Sequence, residues 1–487
     1  MLFNPRTGQA HNGLDRPCAS PKQSQNCNLN HLPNLPHEHT PASSFLHPRW
    51  QSYADSKLRL VYWARKFVAT VDGRSRHPEQ RAWPQPIQDL HDLIEGTAEL
   101  RMLASAMFDE IPNKEPYLSD PNGNRQIRDY KHMLDLFAYV MTEVAPKWSM
   151  TEFNSSMVGF PFNAVLDWPM ATPSGYAFFL KTEVNAKIKV ILDTWRDDVL
   201  ATSKSQYVLT SGPGGWLSQE ALAALEADTN IVGQRPLRFD QLFECDTTRK
   251  HWGFKSWDDF FVRKFRDMDN IRPIGFPDDP RWIANSCESS PYALQTNVKE
   301  YDTFWLKGQP YSVAEMLNHH PNARHFAGGT VYQAFLSATS YHRWHSPVAG
   351  KVVHAGVING TYFSAPTITG FTSPDSPDPI SACGAQGYIT HVATRAVFFI
   401  QAEDPIGLVC VVFVGMADVS TCEISEKFLD SQGQEVAKGE ELGMFHQWRF
   451  NSLCSLSKGV EVGVGHRCIT WRVPEEHPSP QRAGLCI

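Results

Sequence analysis

Two histidines stand three residues apart in the stretch Tyr341-His342-Arg343-Trp344-His345-Ser346-Pro347-Val348-Ala349-Gly350. Imidazole exchanges protons near neutral pH, so either ring could act as a general base, with Arg343 as a cation beside it. Pro347 and Gly350 bracket a stiff turn that would hold these groups in place. On its own the stretch reads rather as a strand end with packed aromatic rings and exposed histidines. A zinc site is a third reading, with His319, His320 and His325 as extra ligands, but no tight ligand spacing supports it and no metal is expected.

The elements that must position these residues change character along the chain. Ile87, Leu90 and Ile94 share one helical face, Leu134, Phe137 and Met141 another, and Val184, Ile188, Ile191 and Trp195 a third. After about residue 280 the segments become short and β-branched, as at 351–355, 396–400 and 408–414, with Gly, Pro and Asp between them. The fold class is therefore α+β, a helical N-terminal domain followed by a β-rich one. Gly212, Gly214 and Gly215 lack the Lys and Ser or Thr of a phosphate loop and read as a tight turn before the helix that follows Ser218. Residues 364–387, rich in Pro, Ser, Asp and Gly, read as a long loop.

At 487 residues the chain exceeds one ordinary domain. The predicted divisions are a disordered tail at 1–48, a helical domain at 49–202, a β-rich domain at 203–446 and a final segment at 447–487. A net charge of -7, with basic and acidic residues mixed throughout, argues against a nucleic-acid partner. Ten cysteines without a Cys-x-x-Cys pair, and no signal-like start, fit a cytoplasmic setting. The longest apolar run, residues 406–415, is too short to cross a bilayer and reads as a buried strand.

The stretch at 341–350 resembles the Tyr-His-Arg-x-His-x-Pro-x-x-Gly signature of phosphatidylserine decarboxylases. Other segments agree in the family's order: residues 253–261 with Arg263, Phe265, Arg272 and Pro273, then Val414-Gly415-Met416, then the Lys-Gly-Glu-Glu-Leu-Gly-Met-Phe turn at 438–445. The likeness is closer still to the fungal branch that acts on free amino acids, the tryptophan decarboxylases among them. It rests there on residues 86–96, 341–350, 359–366 and 415–423.

The resemblance implies a carboxy-lyase that makes its own pyruvoyl group from a serine in a Gly-Ser sequence. The ketone so formed takes up the substrate amine and accepts electrons as carbon dioxide leaves. By the same resemblance His345 matches the base that activates the serine, and His342 the residue that protonates or positions substrate. Glu288 in Asn285-Ser286-Cys287-Glu288-Ser289 matches the acid that orients the base. Its structural alternative is a solvated loop carboxylate. The substrate implied by the branch is an aromatic L-amino acid, and by the wider family phosphatidylserine. The 345–352 and 438–445 segments are expected to form the paired turns of a small β-sandwich.

After His446 the pattern breaks. The family expects Gly-Gly-Ser-Ser or Gly-Ser-Thr and a closing apolar strand, whereas residues 447–458 read Gln-Trp-Arg-Phe-Asn-Ser-Leu-Cys-Ser-Leu-Ser-Lys. Ser452 and Ser455 follow Asn451 and Cys454, not glycine. Reading one nucleotide later, suitable codons from Trp448 onward give Gly-Gly-Ser-Thr-His and then an apolar run. The expectation is a frameshift or misplaced splice junction near Gln447, which leaves 447–487 as foreign sequence with no strand pattern after Gly465. The competing expectation is a non-catalytic relative whose tail diverged.

Overall fold

The computed structural model describes residues 66–74, 82–110, 127–148 and most of 161–446. Interruptions fall at 167, 232–233, 303–311, 337–338, 365–385, 416, 419–420 and 430–432, and four short strands are described after 446. The tail at 1–48 and nearly all of the predicted loop at 364–387 lie outside the described residues. Residues 41–487 cluster as one compact unit.

The helical part follows the apolar stripes of the sequence. Helix α1 (Gln85–Gly96) buries Ile87, Leu90 and Ile94, and α2 (Ala98–Asp109) follows it directly. Helix α3 (Tyr130–Glu143) starts where the Asp129 side chain accepts from the His132 N–H at 2.8 Å, a cap that satisfies one free donor of the first turn. It buries Leu134, Phe137 and Met141. After the short α4 (Pro161–Leu166) and α5 (Pro173–Phe179), helix α6 (Thr182–Trp195) buries Val184, Ile188, Ile191 and Trp195. The Phe162 ring of α4 meets Phe137 and Trp195 edge-on at 4.9 and 5.0 Å, joining three helices through one aromatic contact. The glycine turn forms as read: the Gly215 N–H donates to the Gly212 carbonyl at 3.0 Å, and a Cβ on Gly215 would collide with the Thr210 carbonyl. Ser218 then caps α7 (Gln219–Thr229).

The sheet part begins with β1 (Trp282–Ile283), β2 (Ser289–Thr296) and β3 (Thr330–Leu336). It continues through β4 (Arg343–His345), β5 (Gly350–Ile358), β6 (Arg395–Ala402) and β7 (Leu408–Val414). Then come β8 (Thr421–Ile424), β9 (Gln434–Val436) and β10 (Glu441–His446). The last four are β11 (Ser452–Leu456), β12 (Glu461–Gly463), β13 (Thr470–Arg472) and β14 (Gly484–Cys486). Among the described residues the largest sheet runs β2-β3-β11-β14-β7-β6-β5-β9. Strands β6 and β7 are buried almost throughout, as continuous apolar runs require, and the apolar stretch at 406–415 is the buried strand expected. A second sheet, β4-β10-β8, carries the signature residues.

Strands β13 and β14 correct the expectation of no strand after Gly465. β13 pairs with β1 and β12, and β14 lies alongside β3 and β7. A ladder is made by backbone groups that must find partners, and it forms without an alternating side-chain pattern when a neighbour offers a free edge.

Polar ties join helices to sheets. The carboxylate of Asp418, 2% exposed, accepts from the Phe162 and Asn163 N–H groups at 3.0 Å each, at the start of α4. Asn185 of α6 accepts from the Tyr362 N–H at 3.1 Å. At the end of β10, His446 stands between Asp258 of helix α8 (Trp257–Phe261) and Glu423 of β8, at 3.0 and 2.8 Å. Burial alone would lower its pKa, but the two carboxylates outweigh it and hold the imidazole up to about 9.

Two outcomes follow from these ties. Asp418→Ala removes a charged acceptor from two buried N–H groups and should cost roughly 3 kcal/mol of unfolding free energy in urea titrations. For His446 the folded pKa of about 9 lies above the ordinary 6.5, so its contribution is complete below pH 6.5 and fades as pH rises through 9. The size of that loss is roughly 3 kcal/mol. Unfolding free energy measured from pH 6 to 10 should fall accordingly, and His446→Gln should flatten that slope.

Candidate active site

The turn at 346–350 and the turn at 437–440 are laced together. Ser346 N–H donates to the Glu440 carbonyl at 2.8 Å, and Gly439 N–H donates to the Ser346 carbonyl at 2.7 Å. Antiparallel pairing of β4 with β10 then sets Glu441 opposite His345 and Met444 opposite Arg343. The two turns are paired with each other, as expected from the sequence.

That lacing decides the state of His345. Its Nδ1 lies 2.9 Å from the Gly439 carbonyl oxygen, and a carbonyl only accepts, so Nδ1 carries the proton. Nε2 is thereby the bare nitrogen, and it is buried with no hydrogen-bond partner among the described residues. Burial pushes the imidazole pKa down, against the pull of the Gly439 bond and of the Glu441 and Glu288 charges. The ring is neutral at physiological pH, with an inward lone pair, which is the state a general base needs. Gly439 sits in the left-handed region at φ 82, and a Cβ there would lie 2.1 Å from Cδ1 of Ile274. Only glycine presents this carbonyl. The neighbouring Lys438 ammonium, 6% exposed, donates to the Phe276 and Asp279 carbonyls at 2.8 Å each and anchors the turn from the other side.

His342 is fully buried, its ring stacked on Phe261 at 4.0 Å, while its carbonyl accepts from the Phe445 N–H at 3.0 Å. His345 instead stacks on Tyr341 at 5.9 Å. The two imidazoles thus lie against different aromatic neighbours. Between them Trp344 is fully buried, parallel to Phe413 at 4.4 Å and edge-on to Phe445 at 4.6 Å. Arg343 donates to the Val262 carbonyl at 2.8 Å and pairs with Glu441 at 2.7 Å.

Glu288 is not the partner of the His345 ring. Arg272 grips its carboxylate with Nε and with Nη2, the latter at 2.7 Å. The segment still touches His345, whose backbone N–H donates to the Ser286 carbonyl at 2.8 Å. Arg272 also lies over the Phe265 ring at 4.9 Å, and Phe265 packs on Tyr341 at 4.4 Å. A continuous path of contacts thus runs from Glu288 through Arg272, Phe265 and Tyr341 to His345. Sequence reasoning missed the Gly439 carbonyl, since a backbone acceptor has no residue signature. Arg272 is visible in the sequence without its partner, which lies sixteen residues away.

The histidines of the zinc reading do not gather here. His319 lies 3.6 Å from Glu315, and His320 stacks on His354 and Phe399. Among the described residues no group of three or more His, Cys, Asp or Glu is arranged to hold a metal ion.

The residues after His446 do not fit a self-made pyruvoyl group. No Gly-Ser pair occurs from 447 to 487. Ser452 and Ser455 lie within β11, opposite Ala334 and Val331 of β3. A peptide held in a ladder between two strands is not the bendable Gly-Ser link that an acyl shift needs.

Comparison with known proteins bears on the whole arrangement. Two profiles of phosphatidylserine decarboxylase match, one at residues 84–225 and one at 257–452. Decarboxylase iboD of Amanita muscaria is 40% identical over 303 residues, 59% of this chain and 81% of that protein. The L-tryptophan decarboxylase of Psilocybe cubensis is 32% identical over 415 residues, 83% of this chain and 86% of its own length. Phosphatidylserine decarboxylase proenzyme 3 of Schizosaccharomyces pombe is 26% identical over 210 residues, 43% of this chain and 19% of that one. Members of this family carry a pyruvoyl group. With a neutral, inward-facing His345 at its centre and profile matches across both its helical and its β-rich parts, the chain belongs to the phosphatidylserine decarboxylase family of carboxy-lyases.

Proposed function

We propose that this is a decarboxylase of free aromatic L-amino acids, tryptophan being the model substrate, whose written sequence cannot complete its own cofactor. The observation that carries the site is the bare, buried Nε2 of His345, held by the Gly439 carbonyl. The substrate class is supported by the extent of the likeness to the Psilocybe tryptophan decarboxylase, which covers far more of both chains than the likeness to the yeast phosphatidylserine decarboxylase. No helix among the described residues is long and apolar enough to cross a membrane.

In a chain with Gly-Ser restored after His446, Nε2 of His345 would accept the serine hydroxyl proton. A hydroxyl is a weak nucleophile until a neighbour takes that proton. Gly439 keeps the other nitrogen protonated, so the base cannot turn its N–H toward the serine. Glu288 acts through Arg272 and through its charge rather than by gripping the ring. His342, on its separate aromatic seat, is assigned to substrate positioning. A non-catalytic family member is the second reading, favoured by the missing Gly-Ser pair.

Four outcomes test these assignments. The chain as written should remain one polypeptide of 54.9 kDa on denaturing gels and release no carbon dioxide from labelled L-tryptophan. Transcript sequencing across the codons for Phe445 to Lys458 should show Gly-Ser in frame, and an unaltered message would favour the non-catalytic reading. The repaired chain should self-cleave and decarboxylate L-tryptophan without pyridoxal phosphate, and turnover of phosphatidylserine alone would reject the amino-acid substrate. In the repaired chain His345→Ala should stay uncleaved, whereas His342→Ala should cleave and turn over slowly. Normal processing of the His345 variant would remove that residue from the role of base.

A further inference from the structure

A cleft of about 380 Å3 opens beside the signature strand. That size falls among small-molecule sites. Neither His342, His345 nor Glu288 lines it, and of the signature only Arg343 reaches it. We infer that this cleft is a second binding site, for a free α-amino acid with an apolar side chain.

Its charges carry the argument. Of the seven ionisable residues of Asp, Glu, Arg and Lys type in the wall, several are already satisfied. Arg249 pairs with Asp246 at 3.2 Å, Arg343 pairs with Glu441 at 2.7 Å, and Asp259 accepts from the Lys255 N–H at 2.9 Å. Of the seven, the exposed Glu244 and Lys264 and the buried Arg263, like Asp259, have no oppositely charged partner within 4.0 Å among the described residues. Glu244 and Lys264 are even tied through their backbones, the Glu244 N–H donating to the Lys264 carbonyl at 2.9 Å, yet their side chains do not pair.

Arg263 is the more telling of the two cations. It is 3% exposed, with Nη2 donating to the Thr339 and Ser340 carbonyls at 2.9 and 3.2 Å. Its guanidinium lies over the Phe243 ring at 4.5 Å and the Phe260 ring at 5.4 Å, and its Nε has no partner. A whole positive charge is thus buried on carbonyl and ring faces without a counter-ion, an arrangement that an anion in the adjoining cleft would relieve. Buried Arg395 differs, since all three of its nitrogens donate to carbonyls.

The ligand must therefore bring a carboxylate toward Arg263 and Lys264 and an ammonium toward Glu244, which is the zwitterion of an α-amino acid. Trp252 and Phe254 supply the apolar wall for its side chain. Trp252 and His251 both sit in the left-handed region at φ 54, a conformation that bulky residues resist and that persists where the surroundings impose it. Occupancy would be felt at the catalytic strand, because Arg343 is wall to the cleft and its charge acts on His345.

The test uses the full chain as written, so it stands or falls apart from the decarboxylase reading. Isothermal titration compares L-phenylalanine with 3-phenylpropionate and phenethylamine, which lack the ammonium and the carboxylate respectively. L-Phenylalanine should bind saturably and roughly tenfold more tightly than either analogue, since a ligand without one of its charges leaves the matching side chain of the wall unpaired. Glu244→Lys and Lys264→Glu should each weaken it by about tenfold, and the double exchange should recover part of that loss, an effect misfolding would not produce. Absence of saturable binding would overturn the assignment. So would equal binding of the analogues, or binding indifferent to both exchanges but lost in His342→Ala.

Discussion

A carbonyl oxygen accepts and never donates, so the 2.9 Å contact from Gly439 to Nδ1 of His345 fixes which imidazole nitrogen holds the proton. Much of the local structure exists to keep that contact. The reciprocal bonds between Ser346 and the 439–440 backbone hold the two turns in register, and the β4–β10 ladder extends the lock to Arg343. Lys438 pins the far side of the turn to the Phe276 and Asp279 carbonyls. A shift of one residue would put a residue with a Cβ at this left-handed position of φ 82, which glycine alone adopts without strain. The His345 imidazole is thus oriented by backbone, with no carboxylate on its ring among the described residues.

Charges around this centre come in matched sets. Arg272 takes Glu288, Arg343 takes Glu441, and His446 stands between Asp258 and Glu423. Each set joins separate segments, and where the member left behind is buried, as Arg343 and Asp258 are, removing its partner would strand a charge in a poorly hydrated place. Their effect is therefore registry: they set where α8, β8 and β10 lie relative to the signature strand. Arg263 departs from the rule, clasping the Thr339 and Ser340 carbonyls just ahead of the signature while Arg343 clasps the Val262 carbonyl just ahead of Arg263. The two arginines hold each other's backbone and so bind α8 to β4.

Most of the helices were legible because burial leaves a periodic stripe: the residues on α1, α3 and α6 picked out by spacing are those the core encloses. The buried strand at 408–414 was legible for the same reason, as an apolar run too short to be anything larger. The site was legible only in its side-chain chemistry. His342 and His345 announce themselves, whereas their separate seats depend on Phe261 and Tyr341, and the orienting acceptor is a main-chain oxygen. Glu288 illustrates the limit in the other direction. A carboxylate near a base suggests a hydrogen bond, but a guanidinium offers two parallel donors and takes the carboxylate instead. Spacing is silent on the ties between the helical and β-rich parts, such as Asp418 to α4, because they leave no periodic trace.

The tail separates what the fold requires from what the chemistry requires. Strands β3 and β7 bury Val331 and Phe413 completely, and their backbone groups need partners at a place water does not reach. β11 meets that need by pairing with both, and β14 continues along the same two strands in the opposite sense. A ladder reads only extended backbone, so a segment translated in another frame can fill the position nearly as well as the intended one. The ladder selects for no particular side chain after His446, so the sheet and the seat of His345 form without a Gly-Ser pair in that segment.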